Sequence, residues 1–419
     1  MRPFRTGARA SLLSLATGAL VLGAGCASTP EKKASPRPVA SQAATPAPTP
    51  AQESASELFA EALAAYQAGE LEDAEEGFEE VLEEDGESVT AQFNLGVIAE
   101  RRGDADEARE AYEAALKMNP HHVPSLLNLG RQHRQREQFD AAIALYEEAL
   151  RAPGHEHEVK LLNNLTVAYR LAGKYAQAEA TAKRVLARTK DNADAYKNLS
   201  LVYYDQKQYR LAELVSINAR KLDDKDPGVH NNLGMIYLKL GERPRALAQF
   251  QKAVQLDDAF APGHLNIGAM ALAFRDYAGA EREFTRVAAL DPGSYEAHLY
   301  RGYALDGQKG RDPKKGLAAG ESFEKALSLR KDFPPAVCGA GWAYAADKAG
   351  WDKAMTYLAR CKDVGAASSA EKQQIDAKLK GLLAMKQSEA AKAAAPPPPP
   401  APAAPPQPAA DPESPAKKQ

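Results

Sequence analysis

The sequence predicts an all-α protein built from a repeating unit, and three observations carry that prediction. Between its two ends the chain is rich in Ala, Leu and charged residues, with few β-branched runs and no alternating strand pattern. Short near-copies recur along it: "FNLG" at 93–96, "LNLG" at 127–130 and "NNLG" at 231–234, with "NNLT", "KNLS" and "LNIG" as looser versions. Their asparagines, Asn94, Asn128, Asn164, Asn198, Asn232 and Asn266, are spaced by 34, 36, 34, 34 and 34 residues. A fixed period of this size marks units that each bury an apolar face only against their neighbours.

Residues 1–25 read as an export signal. Arg2, Arg5 and Arg9 make a basic start, and "SLLSLATGALVLGAG" is an apolar run too short for a comfortable membrane span. The stretch from Leu22 to Cys26 resembles a bacterial lipoprotein signal, although Gly23 stands where a larger apolar residue is usual. The resemblance implies lipid attachment at Cys26; the other readings are an ordinary cleaved signal or an uncleaved anchor. Residues 26–54 are Pro- and Ala-rich with almost no large apolar side chains, so they bury too little to offset ordering and form a tether. As a flexible coil this tether spans roughly 30 Å. Ala27 after the cysteine implies, by the same resemblance, the outer membrane of a Gram-negative bacterium, facing the periplasm. At the far end, 394–419 is a proline-rich disordered tail, either a spacer or a ligand for an aromatic groove.

The net charge of −3 and the absence of a basic stripe with interleaved aromatics argue against a nucleic-acid partner. Between Glu53 and Glu87 all charged residues are acidic, with Glu72, Glu75, Glu76, Glu79, Glu80, Glu83 and Glu84 spaced along one helix flank. That flank is either a dock for a basic partner or a soluble first repeat.

If the residue after each Asn-Leu is position 8, the second unit has Gly96 at 8, Gly103 at 15, Ala108 at 20, Tyr112 at 24, Ala115 at 27 and Pro120 at 32. The sixth has Gly234, Gly241, Ala246, Phe250 and Ala253, and the seventh Gly268, Ala280, Phe284 and Pro292. This pattern resembles the tetratricopeptide repeat, a pair of antiparallel helices. The resemblance covers residues 55–368 as about nine copies and implies a right-handed superhelical solenoid. Small residues at 8 and 20 let the two helices approach, and the aromatic at 24 fills the adjoining space. A capping helix is expected over 369–393, with Ser369 as N-cap and Ile375, Leu379, Leu382 and Leu383 as its apolar stripe. The eighth unit carries an extra "GQKGRDPKKG", with Lys309, Arg311, Lys314 and Lys315, and the third ends in a lengthened "APGHEHEVK"; each is a contact point or a tolerated insertion.

Cys338 and Cys361 fall near positions 5 and 27 of the ninth unit, opposite each other in an antiparallel pair. In an oxidising periplasm they are expected to form a disulfide, the other reading being two reduced, buried thiols. There is no phosphate loop or nucleophile elbow, and "HEHE" at 155–158 lacks zinc-protease spacing; His155 and His157 belong to a solvated junction, the other reading being a weak shared metal. His230, His264 and His298 repeat at position 4, too far apart for one ion, and read as packing residues. No cofactor, metal or small-molecule substrate is expected.

Position 6 faces the concave side in the family, so the six asparagines are expected to line a groove. A similar asparagine ladder in repeat-bearing sugar transferases grips the backbone of an extended peptide, and an amide offers both a donor and an acceptor for that purpose. The alternative is that the asparagines bond to neighbouring helices and shape the superhelix. Beside them, position 9 holds Val97, Val167, Leu201 and Met235, interrupted by Arg131, and position 12 holds Arg134 and Arg170. This is an apolar strip with a cationic patch, suited to peptide segments of envelope proteins. The whole resembles the noncatalytic repeat lipoproteins that act as pilus pilotins, outer-membrane assembly subunits and parts of the myxobacterial gliding apparatus. The alternative function is regulation of peptidoglycan-remodelling enzymes.

Overall fold

The computed structural model describes residues 50–364 and 368–394, which contain nineteen α-helices and no strand. The signal, Cys26, most of the tether and the tail beyond residue 394 lie outside the described residues. Seven helix pairs follow one another: α1 (Pro50–Ala68) and α2 (Leu71–Glu84), α3 (Val89–Arg102) and α4 (Ala105–Met118), α5 (Val123–Gln135) and α6 (Phe139–Arg151), α7 (Val159–Leu171) and α8 (Tyr175–Arg188), α9 (Ala193–Asp205) and α10 (Tyr209–Leu222), α11 (Pro227–Lys239) and α12 (Arg243–Leu256), α13 (Ala261–Ala273) and α14 (Tyr277–Leu290). With α15 (Tyr295–Asp306) they form a first compact unit ending at Gly307. A second unit begins at Gln308 and holds α16 (Lys314–Leu329), α17 (Pro334–Tyr344), a 3-10 turn (Lys348–Gly350), α18 (Trp351–Val364) and α19 (Ser369–Ala394). The division falls within the inserted "GQKGRDPKKG".

Two devices set the helix boundaries. Between paired helices the chain turns through a residue of positive φ at position 15, which is Gly69, Gly103, Gly173 and Gly241 in four repeats. Glu137, Lys207 and Arg275 adopt the same conformation in the other three, at φ of 58°, 62° and 60°, despite the Cβ clash that normally disfavours it. Between repeats, side chains cap the next helix: Asn192 accepts from the Ala195 amide, Asp226 from Gly228 and Ser294 from Ala297.

The crossing inside each pair explains the glycines. A Cβ built on Gly96 would stand 2.6 Å from the Tyr112 ring, one on Gly234 2.5 Å from Phe250, and one on Gly268 2.9 Å from Phe284. Each aromatic lies sixteen residues on from its glycine and is fully buried. The fourth and fifth repeats solve the same problem differently. Their position 8 and 24 residues are Thr166 with Ala182 and Ser200 with Ser216, all buried, and Tyr169 and Tyr203 add aromatic bulk from the first helix of the pair, as Tyr237 does beside Phe250 in the sixth. The two position 8 hydroxyls donate to carbonyls of their own helices, Thr166 to Leu162 and Ser200 to Lys197, so their burial leaves no orphan donor.

In the second unit, Cys338 on α17 and Cys361 on α18 are joined as a disulfide with Cα atoms 5.0 Å apart. The start of α19 differs from expectation by one residue: Ser368, not Ser369, makes the reciprocal capping box with Glu371. Ile375 and Leu382 are buried, but Leu383 is 51% exposed, because its neighbour already occupies the inward face at that turn.

Candidate binding face

The first helix of each pair carries the asparagines, yet the helices do not present them alike. Asn128, Asn164 and Asn198 are half-buried, whereas Asn94, Asn232 and Asn266 are buried. The Asn164 amide donates to the Lys160 carbonyl of its own helix at 3.0 Å, and Asn198 donates to the Asn163 carbonyl of the preceding repeat at 3.4 Å. Asn266 donates to Oδ1 of Asn231, again one repeat back, at 2.8 Å. At least two of the six therefore tie consecutive repeats together. Asn232 is fully buried, and neither of its amide atoms has a partner among the described residues.

Two of the three arginines of the predicted cationic patch, Arg131 and Arg170, are matched by carboxylates. Arg131 lies 2.6 Å from a Glu100 oxygen, and Gln132 also contacts that carboxylate. Arg134 donates to the Tyr146 hydroxyl at 2.8 Å, and Arg170, buried, pairs with Asp205 at 2.7 Å. The acceptors for Arg131 and Arg170 sit in adjacent repeats, where a single-repeat reading of the sequence does not look. The Arg131–Glu100 and Arg170–Asp205 pairs stitch repeats and offer less charge to a partner than those arginines alone would. Of the apolar strip, Val97, Leu201 and Met235 are buried and Val167 is half-buried. The half-buried set among the predicted residues is thus Asn128, Asn164, Asn198 and Val167 together with Arg131 and Arg134, on three consecutive first helices, α5, α7 and α9.

Two hydrogen-bonded layers that sequence reading missed support this face. Tyr169 bonds to Glu147 and Tyr203 to Glu179, each reaching back to the second helix of the preceding repeat. Burial and the Glu147 carboxylate push the Tyr169 hydroxyl up to about 12, so it remains a donor. The position 4 histidines do more than pack. His230 bridges the Asp224 carbonyl and Gln249, and His264 bridges the Asp258 carbonyl and Glu283 at 3.0 and 2.7 Å. The signal in the sequence was their 34-residue recurrence, with a polar acceptor nineteen residues on from His230 and His264, Gln249 and Glu283.

Stacked helix pairs with a small residue under an aromatic, and a recurring asparagine on six successive first helices, define a helical-repeat protein. The chain belongs to the tetratricopeptide repeat family, which it matches over residues 59–123, 99–157, 166–216 and 265–336, with a further match over 227–260. Among solved structures it is similar to PilW, a widely conserved type IV pilus biogenesis factor, with 18% identity over 49% of this chain and 94% of that one and a TM-score of 0.43. It is also similar to TTC0263, a thermophilic repeat protein of Thermus thermophilus, with 25% identity, 42% and 98% coverage and a TM-score of 0.37. The Cut9–Hcn1 hetero-tetramer of the APC/C aligns at 14% identity with 90% of this chain and 76% of that one, at a TM-score of 0.46. A search of the curated proteins finds no match.

Proposed function

We propose that the protein is a noncatalytic scaffold, held at the outer membrane by lipid on Cys26, that recruits components of an envelope machine by gripping extended peptide segments along its third to fifth repeats. The observation that supports this reading is the run of half-buried amides at Asn128, Asn164 and Asn198 beside half-buried Val167, on three successive first helices of a family of interaction scaffolds. An extended peptide presents a carbonyl and an amide every residue, and each amide pairing adds about 0.5–1.5 kcal/mol net, so several rungs together give useful affinity. A machine of the gliding or type IV pilus class fits the lipoprotein-like leader and tether.

Affinity capture from detergent-solubilised envelopes, comparing the wild type with a variant carrying Asn128→Ala, Asn164→Ala and Asn198→Ala, tests the groove. Equal recovery of the same captured proteins at equal stability would remove it. Recovery of amidases and transglycosylases would redirect the reading to wall remodelling. Incorporation of labelled fatty acid, lost on Cys26→Ala, tests the anchor separately.

A further inference from the structure

Of the two places where the period is broken, the junction between the third and fourth repeats brings two histidines together. The asparagine spacing is 34 residues except between Asn128 and Asn164, where it is 36, and the connection from α6 to α7 there contains the turn 152–158. His155 in that turn stacks against His121 of the preceding inter-repeat turn, with ring centroids 5.0 Å apart and planes inclined by 29°. His121 is exposed and His155 half-buried, so solvent and solutes reach the pair. Four of the eight histidines, His121, His122, His155 and His157, lie in these two turns.

The separation has a chemical meaning. With zinc–nitrogen bonds of about 2.0–2.1 Å and tetrahedral angles, two imidazoles on one ion have centroids roughly 5 Å apart. The observed rings already stand at that distance, and χ2, the torsion that sets where the ring nitrogens point, is soft and roughly two-fold in histidine. We propose that these two turns form a binding site for a borderline divalent transition ion such as Zn2+ or Ni2+, with His121 and His155 as protein ligands and water completing the shell. Among the described residues no group of three or more His, Cys, Asp or Glu side chains is placed to hold an ion; the proposed site has two imidazole ligands and is open to exchange. Because its ligands come from successive junctions, an ion there links the second, third and fourth repeats and favours their folded arrangement by mass action.

Calorimetric titration of the full chain, first stripped with EDTA, with ZnCl2 and then NiCl2 tests this. One ion per chain is expected, with a rise in the unfolding midpoint. Loss of a mere supporting group at metal sites weakens affinity about 10- to 100-fold, so His121→Ala and His155→Ala should each weaken binding by at least about tenfold. His133→Ala, on α5, should bind like the wild type. Both ligands lie in turns, and unchanged helical circular dichroism verifies that the variants fold. Absence of binding, equal binding by the wild type and the His121→Ala, His155→Ala double variant, or a loss seen only in His157→Ala would overturn the site.

Discussion

The crossing of α11 and α12 allows a sharp test of how the repeat holds together. Phe250 is fully buried and lies over Gly234, where an added Cβ would stand 2.5 Å from its ring. Replacing Phe250 with Ala removes a buried aromatic and leaves a cavity, at a cost of about 3–5 kcal/mol. Replacing Gly234 with Ala has two opposed effects. It relieves the helix of a glycine, worth about 0.5–1 kcal/mol, but overpacks the crossing at about 1–3 kcal/mol, so it should destabilise on balance. In the Phe250→Ala background the clash is gone and only the gain remains. Gly234→Ala should therefore change sign, with a coupling of about 2 kcal/mol between the two sites. Urea denaturation followed by circular dichroism, with hydrogen exchange at the amides of α11 and α12 to localise the loss, measures the cycle. If the two substitutions add to within about 0.5 kcal/mol, the glycine is not there to seat the ring and the packing argument fails. The fourth and fifth repeats already contain the compensated arrangement, Thr166 with Ala182 and Ser200 with Ser216.

Three further outcomes are expected. Asn232→Leu replaces a buried, unpartnered amide with an apolar group of similar size, and should raise stability by about 1–3 kcal/mol in a denaturation curve; a loss of stability would show that the amide is satisfied in solution. The Glu283 hydrogen bond, against the opposing effect of burial and helped by the Asp258 carbonyl and carboxylate, raises His264 above its ordinary 6.5. Its stabilising effect is therefore complete below that value and fades as pH rises through the higher folded value, so His264→Gln should cost most in mild acid; an NMR titration placing His264 at or below 6.5 would contradict this. Converting Cys338 and Cys361 to Ser should destabilise the second unit by about 2–4 kcal/mol through lost loop closure, and an unchanged melting profile under reducing and oxidising conditions would refute the staple.

Much of the repeat was readable because its determinants are local. Gly96 and Tyr112, or Gly234 and Phe250, lie within one period of each other, so the sequence carries both halves of the contact in one unit. The binding face was less readable because its partners belong to other repeats. Nothing near Arg170 in the chain announces Asp205, thirty-five residues on, and nothing near Asn266 announces Asn231. That the fourth and fifth repeats lack a position 24 aromatic but keep Tyr169 and Tyr203 buried escaped for a related reason: core volume can be supplied from either helix of a pair, and composition does not say which.

By itself, then, the sequence determined the helical class, the period, the crossing residues and the six asparagines as a set, since each follows from spacing along one chain. Tertiary structure alone decided which asparagines remain accessible, that Arg131 and Arg170 are already paired, and that His121 meets His155. Those outcomes depend on which side chains of neighbouring repeats come within hydrogen-bonding or ring-contact distance, and a one-dimensional period does not specify that distance.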